Sequence, residues 1–382
     1  MALTQRIFDN LRGDRSIWLV AFMLSMASIL AVYSSTGSLA YKYQQGNTEF
    51  YILKHVLLLV ASWFVLYICY LLHYTRYARL APWMLVIAVF LLILTLAIGT
   101  DINDARRWIK LPGINQSFQA SDFAKIALIV YLAVQITRKQ DIIKSFQAAF
   151  LPLFLPVVGI CFLIAPANLS TALVLFLVCI LMMFIGRVPL KFIGALLVLG
   201  VAAFAMLVII DRVAPGLVRL DTWIVRVQDF MGNSEGKYQV EQSKIAIAKG
   251  GFFGMGPGNS MQRNFLPHPY SDFIFSIIIE EYGLLGAALV LGLYLLLLFR
   301  CVRLVTIAPK AFGAIVAIGL CLMLVIQALA NMAVSVHLVP VTGLPLPMVS
   351  MGGNSVLFTG ASIGIILSVS KYIESARERS DI

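Results

Sequence analysis

The sequence predicts an all-α polytopic membrane protein with about ten transmembrane helices and a large extracytoplasmic loop between spans seven and eight. Of the 382 residues, 60% are hydrophobic and 12% are charged, and the mean hydropathy is +0.92. Soluble proteins carry about 25% charged residues. Runs such as 84–99 and 287–299 carry no charge, and several such runs exceed or approach the roughly 20 residues that a helix needs to cross a bilayer. These runs are continuous rather than alternating, which argues against the strands of a β-barrel.

Apolar segments suited to spans lie at 17–33, 51–72, 81–99, 121–137, 148–165, 171–186, 192–210, 272–299, 312–334 and 355–370. Their even number places both termini on one side of the membrane. Each short segment on that side holds at least two basic residues, whereas the short loops opposite hold only Lys42. Since basic residues concentrate in cytoplasmic segments, we expect both termini in the cytoplasm. The first span resembles a signal peptide, and we expect it to be a retained helix.

The placement of the cysteines, the histidines and the basic residues argues against a disulfide-bonded protein, a metal-centred enzyme and a nucleic-acid-binding protein. The five cysteines lie in or beside apolar runs, which indicates buried thiols rather than a disulfide framework. The four histidines are scattered without the spacing of metal ligands. The net charge of +11 is explained first by membrane topology, so no nucleic acid partner is expected.

Two outer segments carry basic residues against the topological rule. Residues 100–120 include Arg106, Arg107 and Lys110, and residues 211–271 hold seven further Lys and Arg residues. Attraction of an anionic ligand outside the membrane explains this placement, and an ordinary solvated loop is the alternative. We expect the longer segment to fold back over the bundle as short helices and loops. The whole chain, 1–382, is expected to form one transmembrane domain.

Acidic residues at the ends of spans are costly in a membrane and are therefore candidates for function. Asp122 and Lys125 have the spacing of an i,i+3 ion pair on one helix, for which a structural role is favoured. Glu280 and Glu281 lie a few turns into span eight and point in different directions. Their alternatives are a functional role, or capping and pairing with Lys54 or another basic residue.

Asp272 lies where the long outer loop meets span eight, directly after the turn-forming stretch 266–271. A carboxylate in this position is partly desolvated, faces the outer leaflet and lies near the basic outer segments, which makes it a candidate for function. Asp is also a favoured N-cap residue, so the residues alone leave both roles open. The nearby glycine-rich stretch 250–258 lacks the Lys-Ser/Thr ending of a phosphate-binding loop, although it could let a lipid-linked substrate approach closely.

Five groups of residues, spread over most of the chain, resemble the motifs of one family in the same order. They lie at 105–109 (ARRWI), 118–125, 238–260, 272–283 and 327–353, the last with the stretch GLPLP. On these motifs the chain resembles the SEDS family (shape, elongation, division and sporulation), the bacterial FtsW and RodA proteins. The stretch 31–36 after the first span favours the division type, FtsW.

Some positions depart from the family motifs. Ala120, Asp122, His268, Tyr270, Met351 and Asn354 replace the usual Pro, Glu, Glu, His, Tyr and Ser, and the stretch 166–171 replaces EPDLGT. Asp272, Arg106 and Arg107 are retained. The resemblance therefore assigns no role to His268, Tyr270 or Asn168.

The resemblance implies a peptidoglycan glycosyltransferase that polymerises lipid II at the outer face of the bacterial cytoplasmic membrane, in septal synthesis during cell division. It implies Asp272 as the catalytic base and Arg106 and Arg107 as bidentate ligands of the pyrophosphate. The other expected substrate-binding residues are Lys125, Asp122, Gln119, Ser121, Gln242, Asn259 and Ser260.

The implied partners are a class B penicillin-binding transpeptidase and other division proteins, beside lipid II and membrane lipid. No cofactor is required by this chemistry, although a divalent cation, Mg²⁺ or Mn²⁺, could assist the pyrophosphate. Two other classes remain open at this point. One is a transporter that flips lipid II across the membrane, and the other is a non-catalytic scaffold of the division machinery.

Overall fold

The computed structural model describes residues 12–37, 39, 47–98, 100–102, 105–110, 117–213, 220–231 and 237–380. The helices in chain order are α1 (Arg15–Ser35), α2 (Thr48–Leu71), α3 (Tyr74–Ile98), α4 (Ala120–Arg138), α5 (Leu151–Ile164), α6 (Leu169–Ile185), α7 (Leu190–Val213), α8 (Leu220–Met231), α9 (Lys237–Gly250), α10 (Ile274–Ile307), α11 (Ala311–Ser335) and α12 (Ser355–Ser380). Short 3-10 or π turns lie at Gln140–Ile142, Phe146–Phe150 and Gln262–Asn264.

Each predicted span coincides with an apolar helix. Within the described part of the chain, eight helices are long and apolar enough to cross a membrane, and α5 and α6 are shorter apolar helices of 14 and 17 residues. The chain is therefore a multi-pass membrane protein, as predicted. The count of ten crossings stays a prediction, because α5 and α6 fall short of the roughly 20 residues that a bilayer needs.

The centre of the bundle is formed by α4, α11 and α12, which are the most buried of the long apolar helices. Close approach of backbones holds α12 against α2. Gly360 and Gly364 face the backbone carbonyls of Ser62 and Leu66, where a Cβ atom would clash. Small residues at such contacts let membrane helices pack closely without a hydrophobic driving force.

The outer segment 100–120 departs from the all-α prediction. It forms a small antiparallel sheet of β1 (Thr100–Ile102), β2 (Ala105–Lys110) and β3 (Ser117–Gln119), in that order. Trp108 of β2 pairs with Gln119 of β3, and the chain then enters α4 directly. The sheet thereby fixes the arginine motif next to the start of α4.

Where the structure describes it, the long outer segment 211–271 holds two short helices, α8 and α9, with loops and a 3-10 turn, as expected. Helix α9 is held to the bundle by Ser243, whose hydroxyl lies 2.6 Å from the Ser276 hydroxyl of α10 and 2.6 Å from the Ser335 carbonyl of α11. The segment therefore packs on the helices that carry the predicted site. Arg219 lies outside the described residues.

Helix α10 is broken at Gly283, which has φ 65° and ψ −163°. The glycine-rich stretch supplies the hydrogen bonds that the break removes. Met255 and Gly256 donate their N–H groups to the carbonyls of Glu280 and Glu281, at 2.9 and 3.0 Å. In return, the Leu284 N–H donates to the Gly251 carbonyl at 3.0 Å. The glycines of this stretch therefore allow a close approach to the protein's own backbone, at a position where unpaired groups would be costly.

Candidate functional site

Asp272 lies immediately before α10 and is half-buried. The N-cap residue of α10 is Phe273, and no side chain caps the helix. The N-cap interpretation of Asp272 is therefore wrong. One carboxylate oxygen, Oδ1, accepts a hydrogen bond from the Ser271 hydroxyl at 3.0 Å. The other, Oδ2, points towards Gly343 in the loop that follows α11.

The backbone around Asp272 is fixed by side chains that are distant in sequence. The buried Asn331 amide of α11 donates to the Asp272 carbonyl at 2.9 Å and to the Leu344 carbonyl at 2.8 Å. Ser350 donates its hydroxyl to the Ser271 carbonyl at 2.6 Å. The Met351 N–H donates to the Tyr270 carbonyl at 2.9 Å. The position of the Asp272 backbone is thus set by α11 and the proline-rich loop 340–353.

Asn331→Leu should therefore lower turnover more than stability. The variant keeps the side-chain size and removes both donors, so the Asp272 backbone loses one anchor. Since misplacement of a catalytic group by about 1 Å can cost 10²-fold in rate, we expect kcat to fall about tenfold to 100-fold with KM for the substrate nearly unchanged. The control is Ser368→Ala, which removes a buried 2.6 Å bond to the Leu72 carbonyl at the other end of the bundle. Equal kcat in the two variants would refute the positioning role.

Arg226 of α8 is a site residue that the motifs did not single out. Its guanidinium and the Asp272 carboxylate both approach Gly343, so that a Cβ atom added there would lie 3.8 Å from each. Arg226 also donates to the Thr342 carbonyl at 3.4 Å. A cation and the candidate base thus both face Gly343. The sequence indicates Arg226 only through the basic charge of the outer segment, because the approach of Arg226 to Gly343 depends on how α8 folds back over the bundle.

An open cavity of about 430 Å³ extends from Arg226 between α8, α9 and the loop after α11. Asp229, Phe230, Gln239 and His337 contribute to its wall. Burial, and after it the neighbouring Lys244, lower the pKa of His337. The cavity combines apolar walls with a few polar groups, which is the usual character of a ligand site.

The predicted ion pair of α4 is present and buried. Lys125 Nζ lies 2.8 Å from Asp122 Oδ1 and donates to Gln327 Oε1 of α11 at 3.3 Å. The Gln327 amide donates in turn to the Pro345 carbonyl at 2.8 Å. Gln327 and Asn331 lie one turn apart on α11. The pair is thereby connected to the loop that holds Asp272.

Asp122 Oδ2 is buried and has no hydrogen-bond partner among the described residues. A cavity of about 20 Å³ lies beside it, lined also by Ser355, Thr359 and Ser362. This volume suffices for one water molecule, which would satisfy the carboxylate oxygen.

Gln119 and Ser121 lie together at the start of α4, and the Gln119 amide donates to the Ser121 hydroxyl at 2.9 Å. They line a small cavity with Asn168. Asn168 is the N-cap of α6, where its side chain accepts from the Thr171 N–H at 3.2 Å. This explains Asn168 structurally, whereas substrate contacts of Gln119 and Ser121 stay predictions.

Ser260 and the two glutamates of α10 form a separate buried cluster. Ser260 donates its hydroxyl to Glu280, which also accepts from the backbone N–H of Met261 at 3.1 Å. Glu281 accepts from the Ser34 hydroxyl and from the Ser260 N–H. The capping interpretation of the glutamates is thus the one that the structure supports, because they tie the outer loop and α1 to the break in α10.

The remaining predicted residues are dispersed. Asn259 is exposed and donates to the Met255 carbonyl at 3.0 Å, and Gln242 lies half-buried on α9. His268 and Tyr270 contact each other, with the imidazole Nδ1 3.1 Å from the phenol oxygen. The substrate contacts of Gln242, Asn259 and Ser260 stay predictions.

Arg106 and Arg107 occupy consecutive positions of β2, and their side chains lie outside the described part of the structure. Among the described residues, no three His, Cys, Asp or Glu side chains converge as metal ligands would. The assisting divalent cation stays a prediction.

Comparisons with known proteins agree with the fold and the motif order. Residues 14–375 match the family model FtsW/RodA/SpoVE, described as cell cycle protein. The chain is similar to a protein of Trichlorobacter lovleyi named probable peptidoglycan glycosyltransferase FtsW, with 33% identity and coverage of 98% of both chains. It is 34% identical to the stage V sporulation protein E of Bacillus subtilis, over 94% of this chain and 97% of that protein.

Two solved structures share the architecture. One chain comes from a peptidoglycan synthase complex that coordinates polymerization and crosslinking, with TM-score 0.71, 26% identity, and coverage of 94% of this chain and 98% of that chain. The other is the rod shape determining protein RodA of Thermus thermophilus, with TM-score 0.67, 26% identity, and coverage of 95% and 98%. The chain therefore belongs to the FtsW/RodA/SpoVE family of cell cycle proteins.

Proposed function

We propose that this protein is a peptidoglycan glycosyltransferase that polymerises lipid II into glycan strands at the outer face of the bacterial cytoplasmic membrane. The observation that carries the proposal is the half-buried Asp272, which does not cap α10 and which faces Gly343 together with the Arg226 guanidinium. The names of the relatives point to the same activity. The whole chain, 1–382, acts as one transmembrane domain.

The reaction needs one base and several cations. The sugar 4-hydroxyl of the acceptor attacks the anomeric carbon of the donor, and Asp272 takes the hydroxyl proton as the new bond forms. Undecaprenyl pyrophosphate leaves, and as a good leaving group it needs no general acid. Its negative charge is stabilised by guanidinium groups, for which Arg106, Arg107 and Arg226 are the candidates. A single carboxylate is therefore sufficient, unlike the carboxylate pair of glycosidases.

The protein purified in detergent, with labelled lipid II and its transpeptidase partner, tests the proposal. We expect glycan strands to accumulate with time. Lipid II left unpolymerised, together with its movement between the leaflets of vesicles, would favour a transporter. Neither activity would favour a scaffold of the division machinery.

Replacing both Arg106 and Arg107 by Ala should reduce lipid II turnover at least about tenfold for each arginine, since hydrogen bonds to charged groups contribute about 1.5–3 kcal/mol. The yield of folded protein should change little. Lys at either position should restore turnover only in part, because an ammonium lacks the bidentate fork of a guanidinium. The measurement is turnover beside the control Arg303→Ala, an exposed arginine on the last turns of α10. Full activity of the double variant would end the assignment of both arginines to pyrophosphate binding.

The partner that we propose is a class B penicillin-binding transpeptidase, acting with other division proteins at the septum. The support is the similarity to a chain of a complex that combines polymerization with crosslinking, and the FtsW names of several relatives. Coupling the two enzymes would deliver each new strand directly to the crosslinking step.

The proposed orientation places both termini in the cytoplasm and Asp272 outside. A reporter fused after Ile382 should be active only in its cytosolic form, and one inserted near Asn233 only in its external form. The physical reason is the concentration of basic residues in the segments on the side of the termini. Reporters that place both positions on one side would contradict the ten-span topology.

A further inference from the structure

An apolar groove between α1 and α2 differs from the rest of the lipid-facing surface. It has a volume of about 530 Å³ and is lined by aromatic and aliphatic side chains, among them Trp18, Phe22, Trp63, Phe64 and Tyr67. The Trp18 and Trp63 rings stack in its floor, with their centroids 6.1 Å apart. Phe22 and Phe64 are 50% and 66% exposed, so the groove is open to the bilayer. Its shape and composition suit a hydrocarbon chain.

One end of the groove leads to a pair of cations. Tyr70 contacts Trp18 edge-on, at a centroid distance of 5.2 Å, and the Lys371 ammonium of α12 lies 4.5 Å above the Tyr70 ring. The Tyr70 hydroxyl donates to the Arg12 carbonyl at 3.0 Å, which places exposed Arg12 at the same end. The aromatic floor is therefore continuous with a basic site at the membrane surface.

The acidic residues nearby have other contacts. Glu374 accepts a hydrogen bond from the Gly13 N–H, at 2.5 Å. Asp14 caps α1 through the Ser16 N–H at 2.8 Å and receives three hydrogen bonds from the Arg300 guanidinium, at 2.8–3.1 Å. Within the described part of the chain, neither Arg12 nor Lys371 forms an ion pair with them.

We propose that this groove is a binding site for an anionic glycerophospholipid, with an acyl chain between α1 and α2 and the phosphate at Arg12 and Lys371. A hydrocarbon chain alone would fit any lipid, and the adjacent pair of cations selects a net negative head group. The site lies towards the opposite end of α10 from Asp272, because Asp14, which adjoins it, contacts Arg300 in the last turns of that helix. It is thus separate from the proposed catalytic site and does not depend on that assignment.

Native mass spectrometry of the full-length protein tests the proposal, with dioleoyl phosphatidylglycerol and dioleoyl phosphatidylcholine titrated separately. We expect tighter retention of phosphatidylglycerol. Arg12→Gln and Lys371→Gln should each weaken its binding about fivefold, the usual contribution of one cation near an anionic lipid, and leave phosphatidylcholine binding unchanged. The matched control is Lys310→Gln, whose ammonium lies over the ring of Tyr372 instead, 5.8 Å from its centroid. An equal loss in this control would show a general effect of charge and would overturn the proposal.

A second measurement needs no cation variant. Acyl-brominated phosphatidylglycerol should quench Trp18 and Trp63 in a protein whose other three tryptophans are Phe, and unlabelled phosphatidylglycerol should reverse the quenching. Val60 also lines the groove. Val60→Trp would narrow the groove and would be expected to lower phosphatidylglycerol retention while the melting temperature stays close to that of the wild type. Reversal by phosphatidylcholine at the same concentration would show that the groove takes any lipid chain, and the head-group assignment would be wrong.

Discussion

Asp272→Asn is expected to reduce glycan polymerisation by 10²–10⁴-fold, the usual contribution of a positioned general base. Asn keeps the size of the side chain and can still accept from the Ser271 hydroxyl, but it cannot take the proton of the attacking sugar hydroxyl. Because Asp272 does not cap α10, the substitution removes no helix cap. Expression, melting temperature and partner binding should therefore stay close to those of the wild type.

Asp272→Glu provides the matched variant, since it keeps the charge and extends the carboxylate by one methylene. It should recover little activity, because Asn331 and Ser350 hold the backbone at a fixed distance from the substrate path. The measurement is the yield and length of glycan strands made by each purified variant with its transpeptidase partner. Comparable yields from the wild type and the Asn variant would contradict the role of Asp272 as the base and would favour the scaffold and transporter hypotheses.

Lys125→Ala is expected to cause the largest loss of stability, about 3–5 kcal/mol in the free energy of unfolding. It leaves Asp122 as an uncompensated charge. That charge is costly because Asp122 is only 3% exposed and its Oδ2 already lacks a partner among the described residues. It also removes the donor to Gln327, and with it the connection from α4 to the loop before α12.

The double variant Asp122→Asn/Lys125→Gln separates charge from packing, because it keeps both polar side chains and removes both charges. It should recover a large part of the lost stability. Thermal unfolding in detergent, calibrated by reversible denaturation, compares the two variants. If Lys125→Ala loses less than about 1 kcal/mol, Asp122 must be neutralised in the fold, and the ion pair would not be a structural element of the bundle.

Hydropathy predicts most of this fold because the backbone polar groups of every span must be hydrogen-bonded within the span, which requires a long apolar helix. The sheet of β1, β2 and β3 is not predictable in this way, since three short strands in a polar segment have no periodicity strong enough to detect. The break at Gly283 is not predictable for a different reason. Its hydrogen bonds come from the stretch 250–256, and only the folded chain shows that a glycine-rich loop and a glycine inside a span face each other.

The candidate site, like the fold, is predictable from the sequence only in part. Asp272 and the Asp122–Lys125 pair were predictable, because acidic residues at the ends of spans are rare and the i,i+3 spacing is local. Arg226 and Asn331 were not singled out as site residues, because each reaches the site through a contact between distant parts of the chain. Positions of this kind become functional candidates only once the tertiary structure shows their partners.

The most direct test of glycosyltransferase activity supplies labelled lipid II only to the leaflet on the Asp272 side of vesicles that contain uniformly oriented protein. Both the glycan product and the leaflet position of the remaining label are then followed in one sample. We expect strands to form from that leaflet, with no need for lipid II on the other side. Label that appears in the opposite leaflet, without any strands, would contradict this expectation and identify a transporter.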